Sequence, residues 1–155
     1  QYALAAQQAD TARVFVVHRH ERAHVVGYYA LCAGSIEPDA APARLAAGTG
    51  RYPIPVVVLT RLGVDLSEQA QGLGTALVRD AFLQVAAVAT RVGVRALMIH
   101  AASSEAAAFY LRHDPAFFSV PGHPLHLCLL MKDLRKAIRL MPPRGPGDEP
   151  RGAVR

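Results

Sequence analysis

Hydrophobic positions crowd most densely in Val56-Val57-Val58-Leu59-Thr60-Arg61-Leu62-Gly63-Val64, a β-branched apolar run bounded by Pro55 and by the polar Asp65-Leu66-Ser67-Glu68. Such a run predicts a buried strand. After Gln69-Ala70-Gln71-Gly72 the period changes. Leu73, Ala76, Leu77, Ala81, Val85, Val88, Ala89 and Val92 fall at helical spacing, with Arg79, Asp80, Gln84 and Arg91 on the other face. A strand, a tight glycine loop and an amphipathic helix therefore occupy the middle of the chain.

The flanking pattern supplies the remaining elements. Gln1 to Ala12, rich in alanine and glutamine, reads as the end of a helix. Arg13 to Val17 and His24 to Gly34 predict an antiparallel hairpin across the polar turn His18 to Ala23. Ser35 to Tyr52 has little periodicity and reads as a long loop, which Pro53-Ile54-Pro55 leads rigidly into the central strand. Beyond the helix, Gly93 is the expected C-cap and Arg95 to Ala101 a further strand, so the strand–helix–strand crossover implies a parallel pair. Ser103 or Ser104 caps a short helix through Arg112, which Pro115 ends. Leu125 to Met131 is a last strand, and Asp133 opens a short terminal helix. There is no internal repeat. The expected organisation is one domain over residues 1–140 and a Pro/Gly/Arg-rich flexible tail over 141–155.

Composition narrows the class. A chain of 155 residues that is 52% hydrophobic can bury a substantial core. No apolar run approaches the roughly 18 residues of a membrane-spanning helix. Cys32 and Cys128 sit far apart in apolar strand-like runs, which suits two buried free thiols in a cytoplasmic protein better than a disulfide framework. Seventeen basic against twelve acidic residues give a net charge of +5, compatible with a polyanionic partner such as nucleic acid without demanding one. His18, His20 and His24 cluster with Arg19 and Arg22, but no paired ligands face them at metal-site spacing, so a solvated turn is expected. Arg44 and Arg51 are loop cations, solvated by default, with a polyanion beside the acceptor site as the alternative.

The chemistry sits at the glycine loop. A loop that enters a helix through two glycines offers successive backbone N–H groups at the positive end of the helix dipole and can cradle a phosphate. A nucleoside-triphosphate loop would need a lysine after Gly74, where Thr75-Ala76 stands, and a dinucleotide fold would need a third glycine where Leu77 stands. What remains is Gln69-x-x-Gly72-x-Gly74, which resembles the Gln/Arg-x-x-Gly-x-Gly/Ala pyrophosphate loop of the GCN5-related N-acetyltransferases, the GNAT family. That resemblance implies an α/β GNAT fold: a mixed, mostly antiparallel sheet with a splayed parallel strand pair and helices on both faces. It also implies acetyl-CoA as co-substrate, held by Leu62, Val64, Gln69, Gln71, Gly72, Gly74 and Thr75. A family member carries a strand and more helix before the hairpin, so a leading segment is expected to be missing here.

The resemblance narrows further. Leu62-Gly63-Val64-Asp65, Gly93-Val94-Arg95-Ala96-Leu97, His100-Ala101, Ala108-Phe109-Tyr110 and Pro124-Leu125-His126-Leu127 running into Met131-Lys132-Asp133-Leu134 are similar to the GNAT toxins of bacterial type II toxin–antitoxin systems. Those enzymes acetylate the α-amine of aminoacyl-tRNA and block translation; a homodimer and a ribbon-helix-helix antitoxin are implied with them. Where the family has a Phe-Gly-Phe turn after its Phe-Tyr helix, this chain reads His113-Asp114-Pro115-Ala116-Phe117. Two other readings stand beside it: an ordinary GNAT enzyme acting on a small amine or a protein N-terminus, and a non-catalytic acyl-CoA-binding module.

Acetyl transfer from a thioester needs a neutral amine, a donor for the developing oxyanion and a proton for the leaving thiolate. An α-amine, with a pKa of about 7.7–8.0, asks little of a base, and no Glu or Asp accompanies the glycine loop as one. The backbone N–H near Val64 is the oxyanion candidate and Tyr110 the acid. His100 is the rival base, and His126 a core or near-site residue.

Overall fold

The computed structural model describes residues 2–19 and 23–142. In chain order the elements are α1 (Tyr2–Gln8), β1 (Arg13–His18), β2 (Val25–Ile36), α2 (Ala43–Ala46), β3 (Ile54–Val64), a 3-10 turn at Leu66–Glu68, α3 (Leu73–Val88), β4 (Ala96–His100), α4 (Ser104–His113), β5 (Phe118–Val120), β6 (His123–Leu130) and α5 (Met131–Leu140). The strands form one sheet in the order β1-β2-β3-β4-β6-β5. Only β3 and β4 run parallel, as the crossover through α3 requires.

Alternation along the central strands sorts the core into two layers. Val57, Leu59, Leu97, Ile99, Leu127 and Leu129 point to one face, where Leu77, Val78, Ala81, Phe82 and Val85 of α3 and Leu134 of α5 close the larger core. Val56, Val58, Ala96, Met98, Cys128 and Leu130 point to the other, beneath Leu45 of α2 and Val120 of β5. On that second face Ala6 of α1, with Thr11 and Ala12 of the segment after it, lies beside Val14, Ala30 and Cys32 at the β1–β2 end. Phe82, Leu97 and Leu129 are fully buried. Truncating any of them to alanine is expected to cost about 2–5 kcal/mol.

The parallel pair parts beside a bulge. Val56–Leu59 pair with Ala96–Ile99, after which β4 ends and β3 continues to Val64. At that point β3 is bulged against β2: Ala30 pairs with Arg61 and Leu31 with Leu59, which leaves Thr60 as the extra residue. The bulge also reverses the parity of the strand, so Leu62 and Val64 fall on the same face as Leu59 and pack against the α3 core.

Several sequence expectations are corrected. The helix ends at Val88 with Ala89 as C-cap, so Gly93 is not the cap, and Val92 lies beyond the helix at 62% exposure. Asp80, expected on the polar face of α3, is 8% exposed and accepts a hydrogen bond from the Tyr29 hydroxyl. Residues 35–52 are not simply a loop. They contain α2, whose Leu45 is fully buried, and Arg95 donates to the carbonyls of Leu45 and Ala47 at 3.2 and 2.8 Å. Arg44 pairs with Asp133 at 2.8 Å and lies over the Phe118 ring, so this cation braces the fold rather than facing a polyanion. The turn His18 to Ala23 is tied down at its ends, by Arg19 to Glu68 and by His24 to Asp65 at 3.4 Å. His20, Glu21 and Arg22 lie outside the described residues. Strand β5 was not anticipated, and α5 begins at Met131, two residues before Asp133. Cys32 and Cys128 are free. Of the expected tail, residues 143–155 lie outside the described residues. No helix among the described residues is long and apolar enough to cross a membrane.

Candidate active site

The site is built where β3 leaves β4. The Asp65 N–H donates to the Val26 carbonyl at 2.8 Å, so Asp65 and Val26 form a bonded pair and Val64, opposite Gly27, belongs to the non-bonded pair beside it. In an antiparallel ladder the N–H and C=O of such a residue face away from the partner strand. The N–H groups of Leu62 and Val64 therefore face the gap that β4 has vacated. This is the edge where the oxyanion donor was expected.

Asp65 then turns the chain. Its carboxylate accepts from the Ser67 N–H at 2.9 Å and the Ser67 hydroxyl at 2.6 Å, and these bonds hold it below the usual carboxylate range. The loop folds on itself: Gln69 Nε2 donates to the Val64 carbonyl at 3.3 Å and Gln71 Nε2 to the Ser67 carbonyl at 3.0 Å. Ala70 and Gly72 both take positive φ, 59° and 85°. Gly72 is the N-cap of α3 and supplies no side-chain cap. The first backbone bond of the helix runs from Ala76 N–H to the Gly72 carbonyl. The N–H groups of Leu73, Gly74 and Thr75 thus have no helical acceptor, and the positive end of the dipole adds to them. A Cβ at Gly72 would meet nothing within 4 Å. This cradle fits a pyrophosphate.

Helix α4 closes the other side of the gap. Ser103 caps it, its hydroxyl accepting from the Ala106 N–H at 3.2 Å. Phe109 stands so close to α3 that a Cβ on Gly74 would lie 3.3 Å from its ring and 3.8 Å from Val64. A side chain at Gly74 would therefore press on the Phe109 ring. The Phe109 ring meets the Tyr110 ring edge-on at 5.2 Å, so the end of β3, the start of α3 and Tyr110 share one neighbourhood. Tyr110 is 7% exposed, and burial pushes its phenol up to about 12. It stays protonated at any cellular pH and has only a proton to give.

His113, assigned no role in the site from the sequence, completes this wall. His113 Nδ1 donates to the Phe109 carbonyl at 2.7 Å, which leaves Nε2 to accept from the Thr75 hydroxyl at 3.2 Å. Thr75 therefore offers the cradle its N–H rather than its hydroxyl. The i, i+4 spacing of Phe109 and His113 was the available signal. Past α4, Asp114 Oδ1 accepts from the Ala116 N–H at 2.7 Å, and Phe117 turns into the core against Phe82. His100 and His126, opposite one another on β4 and β6, lie on the other sheet face and make no hydrogen bond to Tyr110. Among the described residues no group of three His, Cys, Asp or Glu side chains is placed to hold a metal ion.

No family model matches the sequence. Over 136 residues, 88% of this chain and 79% of the relative, it is 45% identical to the tRNA-acetylating toxin of Mycobacterium tuberculosis. The fold matches that of AtaT complexed with acetyl-methionyl-tRNAfMet, with a TM-score of 0.76 and 27% identity over 88% of this chain and 81% of that one. It likewise matches a tyrosine-to-phenylalanine mutant of AtaT bound to acetyl-CoA and the C-terminus of the antitoxin AtaR, with a TM-score of 0.70 and 26% identity over 88% of this chain and 78% of that one. With its parallel pair splayed beside a glycine cradle and with that degree of identity to a full toxin, the chain belongs to the tRNA-acetylating toxins of the GNAT family.

Proposed function

We propose that this chain transfers the acetyl group of acetyl-CoA to the α-amine of aminoacyl-tRNA, and so acts as the translation-blocking toxin of a type II toxin–antitoxin pair. The observation that carries the acyl-transfer reading is the alignment of three unspent N–H groups, at Leu73, Gly74 and Thr75, with a splayed strand edge and a buried tyrosine. Kinship to a tRNA-acetylating toxin directs the acceptor.

Acetyl-CoA supplies the activated acyl thioester. The chain does the rest. Leu73, Gly74 and Thr75 hold the pyrophosphate through N–H groups, and the edge of Leu62 and Val64 pairs with the amide-bearing arm that leads into the gap. The Val64 N–H donates to the carbonyl oxygen as it gains charge. As nitrogen forms the amide bond and the C–S bond breaks, one proton must leave nitrogen and one must reach sulfur. Tyr110 delivers the second from its phenol and recovers it from the nitrogen side. The finer expectations, a homodimer, a ribbon-helix-helix antitoxin and a cytoplasmic location, belong to this reading.

The test is acetylation of a charged tRNA pool in vitro, with mass spectrometry of the released amino acids. Acetyl on the α-amine, with turnover falling as salt rises because phosphate contacts release counterions, is the expected result. Equal acetylation of free aminoacyl esters without salt dependence would replace this reading with that of an ordinary small-amine enzyme.

A further inference from the structure

The sheet face opposite α3 carries a feature that the acyl-transfer chemistry does not use. His100, the last residue of β4, stacks on His126 of β6 with centroids 4.2 Å apart and planes within 21°. His126 stacks in turn on His123, at 4.9 Å and 10°. These rings stand on the side of Met98 and Cys128, away from the pyrophosphate cradle. His100 and His123 are exposed and His126 is half-buried. None of the three makes a hydrogen bond to a described residue, and none has a carboxylate partner there. A stack of this kind leaves the outer face of its end ring, His100, for a further ring.

Its position relative to the gap is fixed by the strands. His100 lies one residue past the last β3–β4 pair, Leu59 with Ile99, so it is level with the Thr60 bulge. His100 is the end of the stack nearest β3, since His126 and His123 both stand on β6, so the free end of the stack lies beside the gap that β4 vacates. Leu62 and Val64 stand two to four residues farther along, roughly 7–13 Å at the rise of a strand. If acetyl-CoA fills the gap from the α3 face, the acceptor must enter from this one. An acceptor esterified to a terminal nucleoside brings a base that is free to stack, and unstacked bases are recognised on aromatic rings, histidine included.

We infer that His100, backed by His126 and His123, is the stacking platform for the 3′-terminal adenine of the aminoacyl-tRNA, and so positions its α-amine at the gap. This rests on the aminoacyl-tRNA reading above. Crowding supports it. Desolvation, then the neighbouring His100 and His123, hold His126 below its ordinary value, so the stack is not split by a central positive charge at neutral pH.

The experiment uses two probes, 3′-deoxy-3′-glycylaminoadenosine and the same glycylamino ribose lacking the base, with three proteins: wild type, His100→Ala and His100→Phe. For wild type, kcat/KM should favour the adenosine probe by about tenfold, the usual worth of one base stacked on one ring. His100→Ala should erase that preference through KM, and His100→Phe, which keeps a ring but no titratable nitrogen, should restore it. In NMR spectra of histidine-labelled wild type, the adenosine probe should shift the His100 ring protons upfield and the abasic probe should not. A loss shared equally by both probes, or by His100→Ala and His100→Phe alike, would overturn the platform. Absence of the NMR shift would overturn it even if charged tRNA is acetylated. Failure of wild type to acetylate charged tRNA would instead remove the parent reading, whatever the NMR result.

Discussion

The two sides of the splayed pair are built by different means. On the α3 side, the candidate cofactor site is a contiguous segment, Val64 to Thr75, in which backbone N–H groups are the proposed donors and side chains mostly bond back to the loop. On the opposite side, the proposed acceptor platform comes from separate strands: His100 from β4, backed by His126 and His123 from β6. A backbone site depends on local conformation and tolerates changes of side chain that keep φ. A side-chain site depends on register and tolerates changes of loop. The first should therefore break at glycines and the second at individual rings.

The largest effect is expected at the cradle. Gly72→Asp places a β-substituted residue at φ 85° and a negative charge where phosphates must sit. Acetyl-CoA binding measured by calorimetry should be nearly abolished, by about 10³-fold or more, while far-UV circular dichroism stays native. Wild-type affinity in a folded Gly72→Asp protein would remove the cradle from the account. Gly74→Val should act more mildly and by another route. Its Cβ would meet Phe109 at 3.3 Å, so α3 and α4 must part or the ring must move, at a cost of about 1–3 kcal/mol in stability. Because Phe109 abuts Tyr110, turnover should fall with stability in this variant, whereas Gly72→Asp should lose acetyl-CoA binding far beyond the roughly 1–2 kcal/mol of stability that its left-handed backbone costs.

The difference between the sides also explains what could be read from the chain. Gln69-x-x-Gly72-x-Gly74 was legible because a contiguous motif carries its own geometry, and the strand before it and helix after it were legible from period alone. The capping serine and the parallel crossover followed from equally local rules. The Thr60 bulge was not legible. Nothing in Leu59-Thr60-Arg61 distinguishes a strand that keeps its parity from one that reverses it, and only pairing with Ala30 and Leu31 decides the matter. Asp80 was misplaced because a charged residue reads as solvated until a partner such as Tyr29, some fifty positions earlier, appears across the sheet. The histidine stack was invisible for the same reason. His100 and His126 become neighbours only through the register of β4 against β6.

The smallest expected effect is in pH. Turnover on an α-amine should rise as the ammonium loses its proton near pH 7.7–8.0 and should show no alkaline fall-off from Tyr110 below about pH 10. The reason is that the phenol, ordinarily at 10.0, is pushed by burial to about 12. The same shift bears on stability. The folded chain keeps this proton where the unfolded chain releases it, so the contribution is complete below pH 10 and is lost as pH climbs toward 12. An alkaline limb near pH 9 that disappears in Tyr110→Phe would contradict this assignment.

The central claim is that the buried phenol at the meeting point of α4, α3 and the end of β3 delivers the proton to the leaving thiolate. Tyr110→Phe isolates it, since the ring and its packing against Phe109 remain while one oxygen atom goes. In single-turnover measurements with saturating acetyl-CoA and charged tRNA, the rate of acetyl transfer should fall by about 10²–10⁴-fold, with acetyl-CoA affinity and thermal stability nearly unchanged. His100→Ala, measured alongside, should not reproduce that loss in the chemical step. A Tyr110→Phe protein that transfers acetyl at the wild-type rate when chemistry is limiting, or a His100→Ala protein that falls as far, would contradict the account.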